Sequence, residues 1–422
     1  MRRRLWRFGV VAVVTLMAGL SFSHAGSADV CWTWGRNGYG QLGDGTTSNR
    51  NVRWQVLGLG EVVAIAGGGY HSLALMQDGT VWAWGRNEDG QLGDGTTTDR
   101  ASPVQVTGLT GVVAIAAGAY HSLALMQNGT VRAWGRNGDS QLGDGTTTNR
   151  STPVQVPGLT GVTAIASGGG NHNLALTQDG RVWAWGHNLW GQLGDGTTAN
   201  RSAPVQTQSL TTVEAIATGG GHSLALRQNG TVWAWGANWY GQLGDGTTTY
   251  PRTNPVQVQG LTQAIAIAGG GNHSLALRQD GTARAWGGNY RGQLGDGTTV
   301  HPRLTPLQVQ GLTGVSAIAG GGDHSLAVKQ DGTAWTWGWN AYGQLGDGST
   351  TNRLAPVRVT RLTEVTATAG GAEHSLALSR APVVGFRHLG AVAVIVLAAG
   401  SIILNRLTHE KPLRKRETAA TS

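Results

Sequence analysis

Histidine, aspartate and arginine, the side chains here that could do chemistry, each fall into a set of seven with regular spacing along this 422-residue chain. His71, His121, His172, His222, His273, His324 and His374 each open the phrase HSLAL or a close variant. Asp44, Asp94, Asp144, Asp195, Asp245, Asp296 and Asp347 each sit in a GDG loop, and Arg50, Arg100, Arg150, Arg201, Arg252, Arg303 and Arg353 follow them. Imidazoles and carboxylates could ligate a metal or exchange protons with a substrate. Sevenfold recurrence argues for structure instead. A metal needs convergent ligands at about 2 Å, which equivalent positions in separate repeats do not provide. An imidazole can bond a neighbouring backbone group, an Asp before Gly can close an Asx turn, and the arginines can clamp loop carboxylates or carbonyls. No metal and no cofactor is expected. Outside the repeat there is no Ser/His/Asp set, paired carboxylates or zinc phrase, and a unique active site would need unique residues. Asp323 and Glu373, in adjacent repeats, come nearest to a carboxylate pair. They keep open a rival reading, an exported hydrolase or lyase.

The elements that must position these residues follow from the repeat. The phrase QLGDG recurs with glutamines at Gln41, Gln91, Gln141, Gln192, Gln242, Gln293 and Gln344, at steps of 50 or 51 residues. A strict period of that length marks a propeller or solenoid, whose units bury their apolar faces against one another. Each unit reads as four strands: A (VxAIA), B (HSLAL), C (VWAWG) and D (PVQV, as at Pro153 to Val156). An Asn-Gly or Asp-Gly hairpin signal joins B to C, and a long Gly/Asp/Thr/Asn loop joins C to D. The expected fold is therefore all-β, a seven-bladed propeller of four-stranded blades over residues 30–379. The array opens at Val30 with strand C and stops at Leu378 with strand B. These complementary halves should pair and close the ring, removing exposed sheet edges. Twelve of the 17 tryptophans fall in strand C, and residues two apart share a face, so the Trp pairs should fill the gaps between blades. Arg132 and Arg284 replace the first Trp of two pairs, which places that position nearer solvent.

The phrase IAGGGYHSLAL (Ile65 to Leu75), followed by DGTVWAWG and GQLG, resembles the repeat of the regulator of chromosome condensation family, and the likeness recurs from Val30 to Leu378. That resemblance implies a seven-bladed propeller. It implies less about function, because family members include a chromatin-binding nucleotide exchange factor, a plant ultraviolet photoreceptor, ligases that dock through the propeller and an exported bacterial inhibitor of β-lactamases. The uniform spacing leaves no room for the wedge-like insertion of the exchange factor, and the Gly-Trp-Arg-His-Thr motif of the photoreceptor is absent.

The ends of the chain suggest where it resides. Residues 1–28 carry four arginines, an apolar run from Phe8 to Leu20 and small residues at Ala25 and Ala28, the pattern of a secretory signal peptide. Residues 386–405 have the character of a transmembrane helix, and 406–422 form a basic tail that should stay cytoplasmic, leaving the propeller outside a bacterial cell membrane. A processed C-terminal sorting signal has the same order of parts. Of the 31 basic residues, four lie in the leader and seven from Arg380 onward, which leaves the propeller with 20 basic against 21 acidic residues. So neutral a surface offers little affinity for phosphate backbones, and nucleic acid is not an expected partner.

Function is expected where the copies differ. Loop parity puts the A–B turns and C–D loops on one face, and there the repeats diverge: Tyr39, Trp190, Trp239, Tyr240, Tyr290, Arg291, Trp339 and Tyr342 in the C–D loops, with Tyr70, Tyr120, Asp323 and Glu373 in the A–B turns. Exposed Tyr, Trp and Arg are enriched at binding hot spots. The expected protein is a monomeric, non-catalytic, membrane-anchored module that binds a protein or peptide. An inhibitor of a secreted enzyme is a narrower version of the same reading.

Overall fold

The computed structural model describes residues 29–380. The predicted leader, membrane span and basic tail lie outside the described residues. Twenty-eight antiparallel strands form seven four-stranded sheets. Blades are numbered here by their QLGDG phrase. Blade 2, for example, runs A (Val62–Gly67), B (His71–Met76), C (Val81–Gly85), D (Arg100–Gln105). Strands A of successive blades pack against one another around the axis, and D is outermost.

Blade 1 is built from both ends of the array. Its C strand (Val30–Gly35) pairs with its B strand (His374–Ser379) in continuous register from Val30 opposite Ser379 to Gly35 opposite His374. Its remaining strands are A (Val365–Gly370) and D (Arg50–Gln55). The ring is thus closed by hydrogen bonds, with no exposed seam.

Burial follows the chemistry of each strand. B strands are buried on both faces, and the second Trp of strand C (Trp34, Trp84, Trp134, Trp185, Trp235, Trp286, Trp337) is wholly enclosed between blades. Each donates its indole N–H to the backbone carbonyl of the QLGDG glutamine in the preceding blade, at 2.8–3.1 Å. The Trp pairs do not share the core equally. The first Trp is half-buried at its outer margin, and Arg132 and Arg284 fit there because they can reach solvent.

The D strands begin earlier than the PVQV phrase implies, at the loop arginine; in blade 3 this strand is Arg150–Val156. Six of the seven carry Pro at their fourth residue, which blocks further pairing at the outer edge. Blade 1 has Arg53 there, beside an exposed Trp54. Gly43 shows why the phrase is QLGDG: it has φ 68, and a Cβ would come 2.8 Å from Trp84 Nε1. In blade 3, Ser140 stands where the other phrases open with glycine, at φ 63.

Candidate protein-interaction face

The three recurring sets of polar side chains brace the face from below. Each aspartate accepts the backbone N–H of the residue two further on, closing the Asx turn, while its other oxygen binds the arginine of the same blade at 2.6–3.0 Å. Burial alone would raise the Asp44 carboxyl, but bonds from Thr46, Arg50 and Asn37 outweigh it and hold it below the ordinary carboxylate value. The expected Asx turns and arginine clamps are therefore present.

The histidines bond differently from the backbone contact expected of them. His71 Nε2 meets Ser122 Oγ of the next blade at 2.9 Å, and the same pairing links His172 to Ser223, His222 to Ser274, His273 to Ser325, His324 to Ser375 and His374 to Ser72. His121 meets Asn173 Oδ1 at 2.7 Å. Each serine in turn donates to the carbonyl of a QLGDG glutamine, as Ser72 does to Gln41, so the histidine must be the donor at Nε2. His71 lies wholly buried against Gly68, where any Cβ would collide with the ring. Burial pushes its pKa down to about 3, and it is neutral at physiological pH. All seven imidazoles are committed to the ring.

Two further side chains of the repeat hold the variable positions. A buried Asn (Asn37 in blade 1) accepts the backbone N–H of Leu42 and binds Asp44, fixing the C–D loop. The QLGDG glutamine accepts the backbone N–H of the residue two before it: Tyr39, Asp89, Asp139, Trp190, Tyr240, Arg291 and Tyr342, at 2.8–3.0 Å. One scaffold presents a different side chain in each blade.

The structure brings the predicted residues together on one face. Ten of the twelve are half-buried; Tyr290 and Arg291 are exposed. Tyr39 meets Tyr70 with ring centroids 5.4 Å apart, Tyr70 meets Tyr120 at 6.0 Å, and Trp339 meets Tyr342 at 5.4 Å. Trp190 meets Trp239 at 5.1 Å, packed over Gly221, where a Cβ would lie 2.6 Å from the indole. Tyr240 meets Tyr290 at 5.5 Å, edge to face. Asp323 and Glu373 have separate partners, for Glu373 is bound by Arg36 and Asp323 by Gln293 Nε2, although Glu373 is near enough to raise the Asp323 carboxyl.

Sequence reasoning missed the residues that join these groups. Arg36 lies over Tyr39, Tyr70 and Tyr342 at 5.1–5.9 Å, Arg86 over Tyr39 and Tyr120, and Arg136 over Tyr120. His187 packs on Trp190, Tyr250 on Trp239 and His301 on Tyr290. The signal for the arginines was available: the position after strand C reads Arg, Arg, Arg, His, Ala, Gly, Trp around the ring, as variable as the loops themselves.

A scan of family profiles matches the RCC1-like domain to residues 161–384 and the regulator of chromosome condensation (RCC1) repeat to residues 29–75, 78–125 and 128–176. Similar proteins include the ultraviolet-B receptor UVR8 of Arabidopsis thaliana, 35% identical over 44% of this chain and 43% of that one. The probable E3 ubiquitin-protein ligase HERC3 of Homo sapiens is 43% identical over 42% of this chain and 17% of that one. The chain thus spans less than half the length of these relatives. Among solved structures, Prp20p of Saccharomyces cerevisiae superposes with TM-score 0.74 at 24% identity, covering 83% of this chain and 91% of that one. Human WBSCR16 gives 0.76 at 26%, covering 84% and 100%. With repeat, blade topology and profile in agreement, the chain belongs to the regulator of chromosome condensation (RCC1) repeat family.

Proposed function

We propose that this chain is a non-enzymatic, monomeric propeller that binds a protein or peptide through its A–B and C–D face. In this proposal it works outside the cytoplasm of a bacterial cell, exported by residues 1–28 and anchored by a single span at 386–405, with 406–422 inside. The observation that carries the binding reading is a contrast within each blade. The Asn, Gln, Asp, Arg and His that shape the loops repeat around the ring, while the side chains they present vary and converge on one aromatic and arginine-rich surface. The family lends support, since the Prp20p structure is described with its binding to Gsp1p and histones. The near-neutral propeller argues for a protein surface over nucleic acid. The catalytic reading is the weaker one, because each of the two candidate carboxylates has its own hydrogen-bond partner.

Capture of partners by the tagged chain, comparing wild type with Trp239→Ala/Tyr240→Ala, tests the face. Loss of aromatic anchors should weaken capture by roughly thirtyfold, about 2 kcal/mol. Undiminished capture by the double variant, together with loss on Asp280→Ala in the opposite B–C turn, would reassign recognition to the other face. Protease added to intact spheroplasts should remove the propeller and spare a tag after Ser422. Protection of the propeller would refute the proposed topology.

A further inference from the structure

Asp323 is set apart from the other acidic residues of the face by the depression it lines, not by the kind of bond it accepts. Glu373 pairs with Arg36 and Glu88 with Arg86. Asp139 accepts a bond from Asn171, and Asp89 one from Asn149. Asp323 is half-buried, accepts a side-chain bond only from Gln293 Nε2 at 3.2 Å, and forms no ion pair among the described residues. Together with Tyr240, Asn272, Tyr290, Arg291 and Gln293 it lines a depression of about 480 Å³. Burial raises its carboxyl above the usual range; Arg291 opposes that shift and Glu373 adds to it. Arg291, which also lines the depression, has its guanidinium 5.8 Å from the Trp339 ring and forms no ion pair with Asp323. Partial burial of an unpaired carboxylate costs folding free energy, and such a cost retained in a surface depression marks a functional site. A carboxylate beside two tyrosine rings selects for positive charge.

Building on the protein-binding reading above, we infer that this depression receives a lysine or arginine side chain of the bound partner. Asp323 supplies the counter-charge, and Tyr240 and Tyr290 flank the aliphatic stem of the guest. Asn272 completes the wall with a group that can accept a hydrogen bond.

The test needs no natural partner. The intact chain in detergent is titrated with Nα-acetyl-lysine methylamide, Nα-acetyl-arginine methylamide and the uncharged norleucine analogue, read by chemical-shift changes or calorimetry. Both cations should bind about tenfold or more tightly than norleucine, the effect of one charge-assisted contact. Asp323→Asn retains an acceptor for Gln293 and should abolish that preference with an unchanged or raised Tm. Tyr240→Ala, which leaves the charge in place, should weaken both cations several-fold and keeps the test valid if the first variant fails to fold. Equal binding of norleucine, absence of binding at tens of millimolar, or a preference that survives Asp323→Asn would overturn the inference. Partner capture lost on Trp239→Ala/Tyr240→Ala without any cation preference would sink the pocket alone. A clear cation preference with no partner captured would sink the protein-binding reading instead.

Discussion

Trp235 and Trp239 lie four residues apart, yet their loss should register in different measurements. Trp235 is wholly buried and donates its indole N–H to the Gln192 carbonyl across a blade interface. Trp235→Ala should cost about 3 to 5 kcal/mol through the cavity it leaves, since the Gln192 carbonyl keeps its bond from Ser223. Chemical denaturation checks this as a fall in midpoint, and partner binding per folded molecule should be unchanged. Trp239 is half-buried against Trp190 and Tyr250. Reading the loops from sequence treats their side chains as independent, so truncation there should leave stability untouched. The observed edge-to-face contacts alter that expectation to a loss of about 1 to 2 kcal/mol for Trp239→Ala/Tyr240→Ala. The sequence marks both residues as Trp, but only strand position separates the core indole from the one on the binding face. The missed arginines show the same limit. Arg36 and Arg86 matter because of rings contributed by the next blade, Tyr70 and Tyr120, and a residue's own repeat does not reveal what the adjacent one places beside it.

The strands were legible because their chemistry is local: alternation, Asp-Gly turns and glycine punctuation all act within a few residues. The bonds between strands of different blades were not. His71 and Ser122 are 51 positions apart, and nothing in either phrase names the other as its partner. This ring of buried imidazoles makes stability depend on acidity. Their folded pKa values lie at about 3 to 4, against an ordinary 6.5, because burial disfavours the charged ring. Below pH 6.5 the unfolded chain takes up protons that the folded chain refuses. The stabilisation is therefore complete above that value and is lost as pH falls towards 4. Each such histidine contributes about 1.4 kcal/mol per pH unit once the unfolded form is protonated. The loop aspartates, with folded values below 3.8, add to the loss only at lower pH. Melting temperature should hold near neutrality and drop steeply between pH 6 and 4, a profile that calorimetry at half-unit steps would resolve. A flat profile across that range would show that the histidines ionise in place.

At the scale of the whole molecule, the repeat period and the split of blade 1 between the two ends of the array made ring closure readable from the sequence. The presented face was readable only as a set of variable positions, because its groupings arise from the curvature that brings loops of successive blades together. Closure has a consequence for motion. Strands at the end of a repeat array normally fray, and their amides exchange with solvent far faster than those of the core. Here Val30–Gly35 lies between His374–Ser379 and Arg50–Gln55, so it cannot peel away without opening the ring. Hydrogen–deuterium exchange should therefore find its amides as slow as those of the equivalent strand Val182–Gly186 in blade 4. Because His374–Ser379 lies more than 300 residues along the chain, its pairing with Val30–Gly35 should also be among the last contacts made in refolding. A strand that forms late and exchanges slowly acts as a latch, making the lifetime of the folded ring a matter of how rarely that one strand lets go.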